Sequence, residues 1–171
     1  MSGNPRGAAS GSGRRAALSA ALALALSACG FRLRGAPPLA IGSLHVSGAS
    51  PDLGLALRRA IEAEGNTRIT ATAKEARAQL RIRAEEREKS VLTLNAAGQV
   101  REYLLAYRVL FDVLDASGKP VVAPGRIELT REIPFSSSQL LAREAEEALL
   151  YQDMQRDAVR QMLRRLASAR F

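Results

Sequence analysis

Side chains able to attack a carbonyl or shuttle a proton are scarce in this sequence. It holds one histidine, His45, and one cysteine, Cys29, in 171 residues, with no Gly-rich phosphate loop. A metal centre needs several His, Cys or carboxylate ligands converging on one point, so a lone imidazole and a lone thiol predict neither a metal site nor a cofactor. His45 reads as an edge or surface imidazole. Paired carboxylates occur at Glu85-Glu86 and Glu146-Glu147. Neighbours on a strand or helix point apart, so each pair is expected on solvated surface rather than as an acid and a base, and an enzyme is not expected.

The chemistry that remains belongs to the Cys29 sulfur. Arg6, Arg14 and Arg15 form a basic segment without an acid, and Ala16 to Leu26 is a run of Ala, Leu and Ser. Such a run is the length of a secretory core and too short to span a bilayer, which takes roughly 20 residues. The run leads into Leu26-Ser27-Ala28-Cys29, which resembles a bacterial lipobox. There the sulfur receives a diacylglycerol, the preceding peptide is removed and the new amino terminus is acylated. The rival is a plain cleaved signal with an incidental cysteine; the Leu three before Cys29 and the Ala one before it favour the lipobox. One acyl chain is a marginal anchor and two or more a stable one. The resemblance to lipoproteins of Gram-negative bacteria implies that Gly30, in the place of an Asp that would retain such a protein at the inner membrane, favours the outer membrane. The expected divisions are 1–28 lipoprotein signal peptide, 29–38 lipidated cysteine and Pro/Gly-rich tether, and 39–171 a single domain.

Removing residues 1–28 takes away three arginines and no acid, so the formal charge of +8 becomes +5 over 143 residues (171 less 28). That is one domain's worth of chain. A positive surplus attracts any polyanion, but an exported protein meets lipopolysaccharide phosphates rather than nucleic acid. With Cys29 taken by lipid no disulfide remains, and the fold must rest on its apolar core.

The elements that would position these groups are legible in outline. A strand is centred on Leu44 to Val46. Ser50-Pro51-Asp52 opens a helix whose Leu53, Leu57, Ala60 and Ile61 make one face, and Gly65-Asn66 stops it. Arg68 to Thr72 is either a short strand or a lead-in. Ala78 to Leu94 alternates as a long strand with a bulge expected near Glu86 to Lys89. Asn95 to Gln99 is a turn. Val100 to Asp115 is apolar on both sides and therefore expected at the centre of the sheet with both faces covered. After a turn at Ala116 to Pro120, Arg126 to Ile133 alternates with one polar face. Ser136 and Gln139 match a capping box. The last helix, from about Ser138 to Ala167, carries Leu141, Ala145, Ala148, Gln152, Gln155, Val159, Met162 and Leu166 on a face that is apolar at both ends and polar in the middle. The fold class is α+β: a two-layer sandwich with a four-stranded mixed sheet and two helices packed on one face.

Three stretches carry a resemblance over nearly all of the exported chain: L-S-A-C-G-F-R-L-R-G, the hairpin G-Q-V-R-E-Y-L-L-A-Y-R-V, and L-L-A-R-E-A-E-E-A-L-L-Y-Q-D-M-Q-R-D-A-V-R-Q-M-L-R-R-L. In this order and spacing they resemble the LptE family, lipoprotein partners of the outer-membrane lipopolysaccharide translocon. The resemblance implies a lipid-anchored plug inside the β-barrel LptD, which supports barrel assembly and helps receive and insert lipopolysaccharide. It implies as partners the barrel, lipopolysaccharide and the outer membrane, with the body facing the periplasm or within the barrel lumen. In the family, basic residues at the hairpin tip and at the start of the last helix are associated with lipopolysaccharide. Arg143 holds the helix position. The tip position is Ala96, a departure for which Arg101 is the nearby substitute, and Arg131 is a further candidate. The rival from another class is a free-standing envelope lipoprotein that binds an apolar or anionic lipid; a hydrolase would need titratable groups converging in a cleft.

Overall fold

The computed structural model describes residues 39, 41–135 and 140–169. Cys29, the tether and the Ser136–Gln139 cap lie outside them. Eight elements follow in order: β1 (Gly42–Ser47), α1 (Pro51–Glu64), β2 (Thr67–Ile69), a 3-10 turn (Ala73–Glu75), β3 (Ala78–Leu94), β4 (Val100–Asp115), β5 (Pro120–Pro134) and α2 (Leu140–Ser168). The cap chemistry of α1 acts as its residue types require. Ser50 Oγ accepts from the Leu53 amide at 3.3 Å, and Gly65, at φ 73°, ends the helix in the left-handed region. Leu53, Leu57 and Ile61 are wholly buried, each worth about 1.5–3 kcal/mol of transfer free energy.

The sheet has five strands in the order β2-β1-β3-β4-β5, not four. The added strand is β2, whose three residues pair parallel with β1 from Gly42–Thr67 to Leu44–Ile69. Three residues are too few to show a period, and the pairing rather than the sequence pattern makes the strand. β1 also runs parallel to β3, while β3, β4 and β5 are antiparallel neighbours.

Both helices cover one face. There Leu44, Leu80, Leu105, Tyr107, Phe111 and Ile127 meet Leu53 and Leu57 of α1 and Met154, Ala158, Met162 and Leu166 of α2 in one buried cluster. β4 is internal, as expected, but no described element covers its second face: Leu110 is 39% exposed there, while Ala106 and Leu114 are buried. That face is held instead by charge. Arg81 donates from Nε and Nη2 to the two Asp112 oxygens at 2.8 and 2.9 Å, with Arg83 at 3.5 Å. Arg108 pairs with Glu88 and, at 2.7 Å, with Glu128, which also accepts from Arg126 at 2.8 Å. The Arg81 fork holds the Asp112 carboxyl below the usual aspartate range, and Arg108 does the same for Glu128.

Both hairpin turns are closed by a side-chain oxygen. Asn95 Oδ1 accepts from the Ala97 and Gln99 amides, both at 2.9 Å, and Asp115 Oδ1 accepts from the Ser117 and Lys119 amides at 2.8 and 2.9 Å.

Candidate functional site

The polar side chains that β3 turns toward the helices arise from one irregularity. Ile82 pairs with Phe111 and Ala84 with Leu110, so Arg83 is an extra residue. The bulge thus falls at Arg83 rather than near Glu86 to Lys89. Because strand side chains alternate, one inserted residue moves every later side chain to the opposite face. Ala78, Leu80 and Ile82 point toward the helices before it; Glu85, Arg87 and Lys89 do so after it.

Each of these three meets a partner on that face. The Tyr107 hydroxyl donates to Glu85 Oε1 at 2.7 Å. The Arg87 guanidinium lies 6.0 Å from the Tyr107 ring centre and 5.6 Å from that of Tyr151, and it donates to Gln155 Oε1 at 3.4 Å. Lys89 Nζ lies 4.5 Å from the Tyr103 ring centre and 2.6 Å from Glu147 Oε2. The polar middle of the α2 face thus answers charges on β3. Burial, then Glu85, pushes the Tyr107 phenol up, and burial, then Glu147, raises that of Tyr151.

The sequence-derived candidates fall in two places. Arg131 ties β5 to α2, its Nη2 donating to Asp157 Oδ2 at 3.0 Å, and Asp157 also pairs with Arg160. Arg143 lies near the start of α2. Its Nη1 donates to Glu146 Oε2 at 2.8 Å, and its buried Nε meets no acceptor among the described residues. The distance along the helix axis from Arg143 to Asp157 is about 20 Å, so Arg131 and Arg143 do not make one site. Arg101 is exposed at the start of β4, its carbonyl accepting from the Phe135 amide at 2.8 Å. Tyr103, two positions along the same strand face, meets Lys89, which binds Glu147 one turn beyond Arg143. Arg101 and Arg143 therefore lie toward one end of the molecule, where Lys89, which the sequence pattern did not single out, bridges Tyr103 and Glu147. Ala96 is in the hairpin turn and brings no charge. His45 Nδ1 lies 3.2 Å from the Thr70 carbonyl.

That same end is unusually apolar on its surface. Val91, Leu92 and Leu94 of the hairpin are 51%, 40% and 56% exposed, and Leu149 of α2 is 59% exposed. Ala145 and Ala148, expected on the buried stripe, are exposed as well; from Arg143 onward the first buried residue of α2 is Tyr151. Between the helices runs a cleft of about 660 Å³, with Arg87 among its lining residues.

Comparison with known proteins decides the family. A model of the LptE family, described as lipopolysaccharide-assembly, matches residues 41–166. The chain belongs to the LptE family. An uncharacterized lipoprotein B from Nitrosomonas europaea is similar in structure at 38% identity with a TM-score of 0.71, covering 81% of this chain and 91% of its own. A rare lipoprotein B from Shewanella oneidensis aligns at 28% identity with a TM-score of 0.64, over 74% of this chain and 94% of its own. A minor lipoprotein from Acinetobacter baumannii shares the fold at 20% identity and a TM-score of 0.62, over 77% and 94% of the two chains. No curated protein matches the chain. For an LptE-family chain, the two faces of the sheet differ sharply: one is packed under the helices, and the other presents a ladder of ion pairs. Among the described residues no helix is long and apolar enough to cross a membrane.

Proposed function

We propose that this LptE-family chain is an outer-membrane lipoprotein, anchored through Cys29, that plugs and assists the assembly of an LptD-type β-barrel and helps deliver lipopolysaccharide for insertion. The family match over residues 41–166 carries this reading. Its chemistry is recognition rather than bond making. The Arg81–Asp112–Arg83 and Glu88–Arg108–Glu128–Arg126 groups give the open sheet face a polar surface of paired charge. Such a surface suits the polar interior of a barrel, because its charges are already satisfied before docking and leave little unpaired when water is excluded.

The hairpin end does the opposite work. Val91, Leu92, Leu94 and Leu149 are exposed on the same two elements, the β3–β4 hairpin and the first half of α2, that carry Lys89, Arg101 and Arg143, so that end offers both apolar surface and cations to a phosphorylated glycolipid. Arg143 and Arg101 supply donors to lipid phosphates, and Arg131, committed to Asp157, positions α2 on the sheet. Co-purification of a large barrel protein with the lipidated chain from detergent-extracted membranes tests the reading.

A further inference from the structure

We propose that the cleft between α1 and α2 is a second ligand site, binding the phosphate monoester of an anionic amphiphile through Arg87 and Arg59. The cleft, about 660 Å³, is of a size that takes a small ligand or a head group. Arg87 forms part of its lining from β3, Arg59 from α1, and Arg156 and Arg160 from α2. Arg156 and Arg160 are engaged with Asp153 and Asp157. Arg59 and Arg87 have no carboxylate within ion-pair distance among the described residues.

Arg87 is held rather than satisfied. Two tyrosine rings flank its guanidinium at 5.6 and 6.0 Å, and one weak hydrogen bond at 3.4 Å fixes its angle. A planar fork so placed loses little freedom when it binds an oxyanion bidentately. Neither nearby acid pairs with Arg87 among the described residues: Glu85 keeps its charge but is turned to the Tyr107 hydroxyl and, at 3.4 Å, the Ser50 amide, and Asp52 is the carboxylate lining the cleft. Several guanidiniums around one opening favour a dianionic phosphate over a single carboxylate. The wall beside them is apolar: Leu55, 47% exposed, with Ala60, Ala148 and Val159. Phosphate beside hydrocarbon is the chemistry of an amphiphile's head and upper chain. The cleft borders the hairpin end at Ala148, but Arg87 stands opposite Tyr107, six residues along β4 from Arg101, and the assignment does not depend on a barrel partner.

The test is calorimetric titration of the full-length chain in maltoside micelles, with whatever partner it brings along, so that it succeeds or fails independently of co-purification. The probes are dihexanoyl phosphatidic acid, dihexanoyl phosphatidylcholine, inorganic phosphate and a hexaglutamate peptide. Tyrosine emission is read in parallel, since two of the three tyrosines flank Arg87. The phosphatidic acid is expected to bind and change the emission, the other probes to bind at least tenfold more weakly, and Arg87→Gln and Arg59→Gln each to weaken it at least tenfold with the melting temperature of Arg59→Gln unchanged. No binding, equal binding of phosphatidylcholine, inorganic phosphate or the peptide, or binding that survives Arg59→Gln would overturn the assignment.

Discussion

The Tyr107 hydroxyl reaches diagonally across the β3–β4 pair to Glu85 at 2.7 Å, from a ring with no exposed surface. The contact exists because Arg83 is an extra residue: without it Glu85 would face the charged side of the sheet. Tyr107→Phe keeps the ring and leaves the carboxylate short of a donor, so it is expected to cost about 1 kcal/mol in chemical denaturation. Burial and Glu85 raise the phenol's pKa in the folded state. A group raised on folding stabilises fully below its unfolded value, about 10 for tyrosine, and that contribution declines as pH rises beyond it. Stability should therefore fall above about pH 10, and the slope should be shallower in Tyr107→Phe.

Two glycines separate backbone constraint from helix propensity. Gly48 lies at φ +75°, and a Cβ there would sit 2.2 Å from the Ile82 carbonyl oxygen on the neighbouring strand. Gly48→Ala is expected to lose at least about 2 kcal/mol, since neither backbone can yield. Gly54 is inside α1, and among the described residues a Cβ there would meet Ala49 Cβ alone, at 3.8 Å. Gly54→Ala should gain about 0.5–1 kcal/mol. Thermal melts of the two variants in parallel check both signs.

Arg143→Glu sets a carboxylate beside Glu146, its present partner, and removes a cation from the hairpin end. Lipopolysaccharide binding is expected to weaken about tenfold or more, the size of a lost charge-assisted contact, while far-ultraviolet circular dichroism stays as it is. Unchanged binding at moderate salt would take Arg143 out of the site.

How far the residues announced this structure depended on whether their signals were local. α1 was legible at both ends because Ser50, Pro51 and Gly65 each act within one turn of chain. The two turns were legible because Asn95, Gly98, Asp115 and Gly118 do the same. β2 was legible only as one of two alternatives for Arg68 to Thr72, since pairing with β1 alone defines its three residues. The second face of β4 was legible in part: Ala106 and Leu114 are buried as their apolarity implies, whereas Leu110 is exposed, and the charges on that face come from β3 and β5 and do not show in the pattern of β4. The interhelical cleft was illegible for a related reason: Arg59 and Arg87 come to line one cleft only after α1 packs over a strand whose facing has been reversed by one residue. A trace of it was visible in Gln152 and Gln155, polar positions on a helical face that otherwise packs, and those side chains turn out to line the cleft beside Arg87.

The anchor can be tested apart from the body. Cys29→Ala removes the sulfur to which a diacylglycerol would be joined. The variant is expected to accumulate as an unlipidated precursor, absent from the outer-membrane fraction and without the mass of attached acyl chains. Normal fractionation of Cys29→Ala would reject lipidation at this residue.

The most direct measurement is affinity isolation of the full-length chain from detergent-solubilised envelopes of its own host, followed by mass spectrometry of what remains bound after washing at high salt. The account predicts one dominant partner, a large outer-membrane β-barrel, in roughly equal amount, because a plug buries too much surface to be washed away. Recovery of the lipidated chain alone, or with partners that are not barrels, would contradict it.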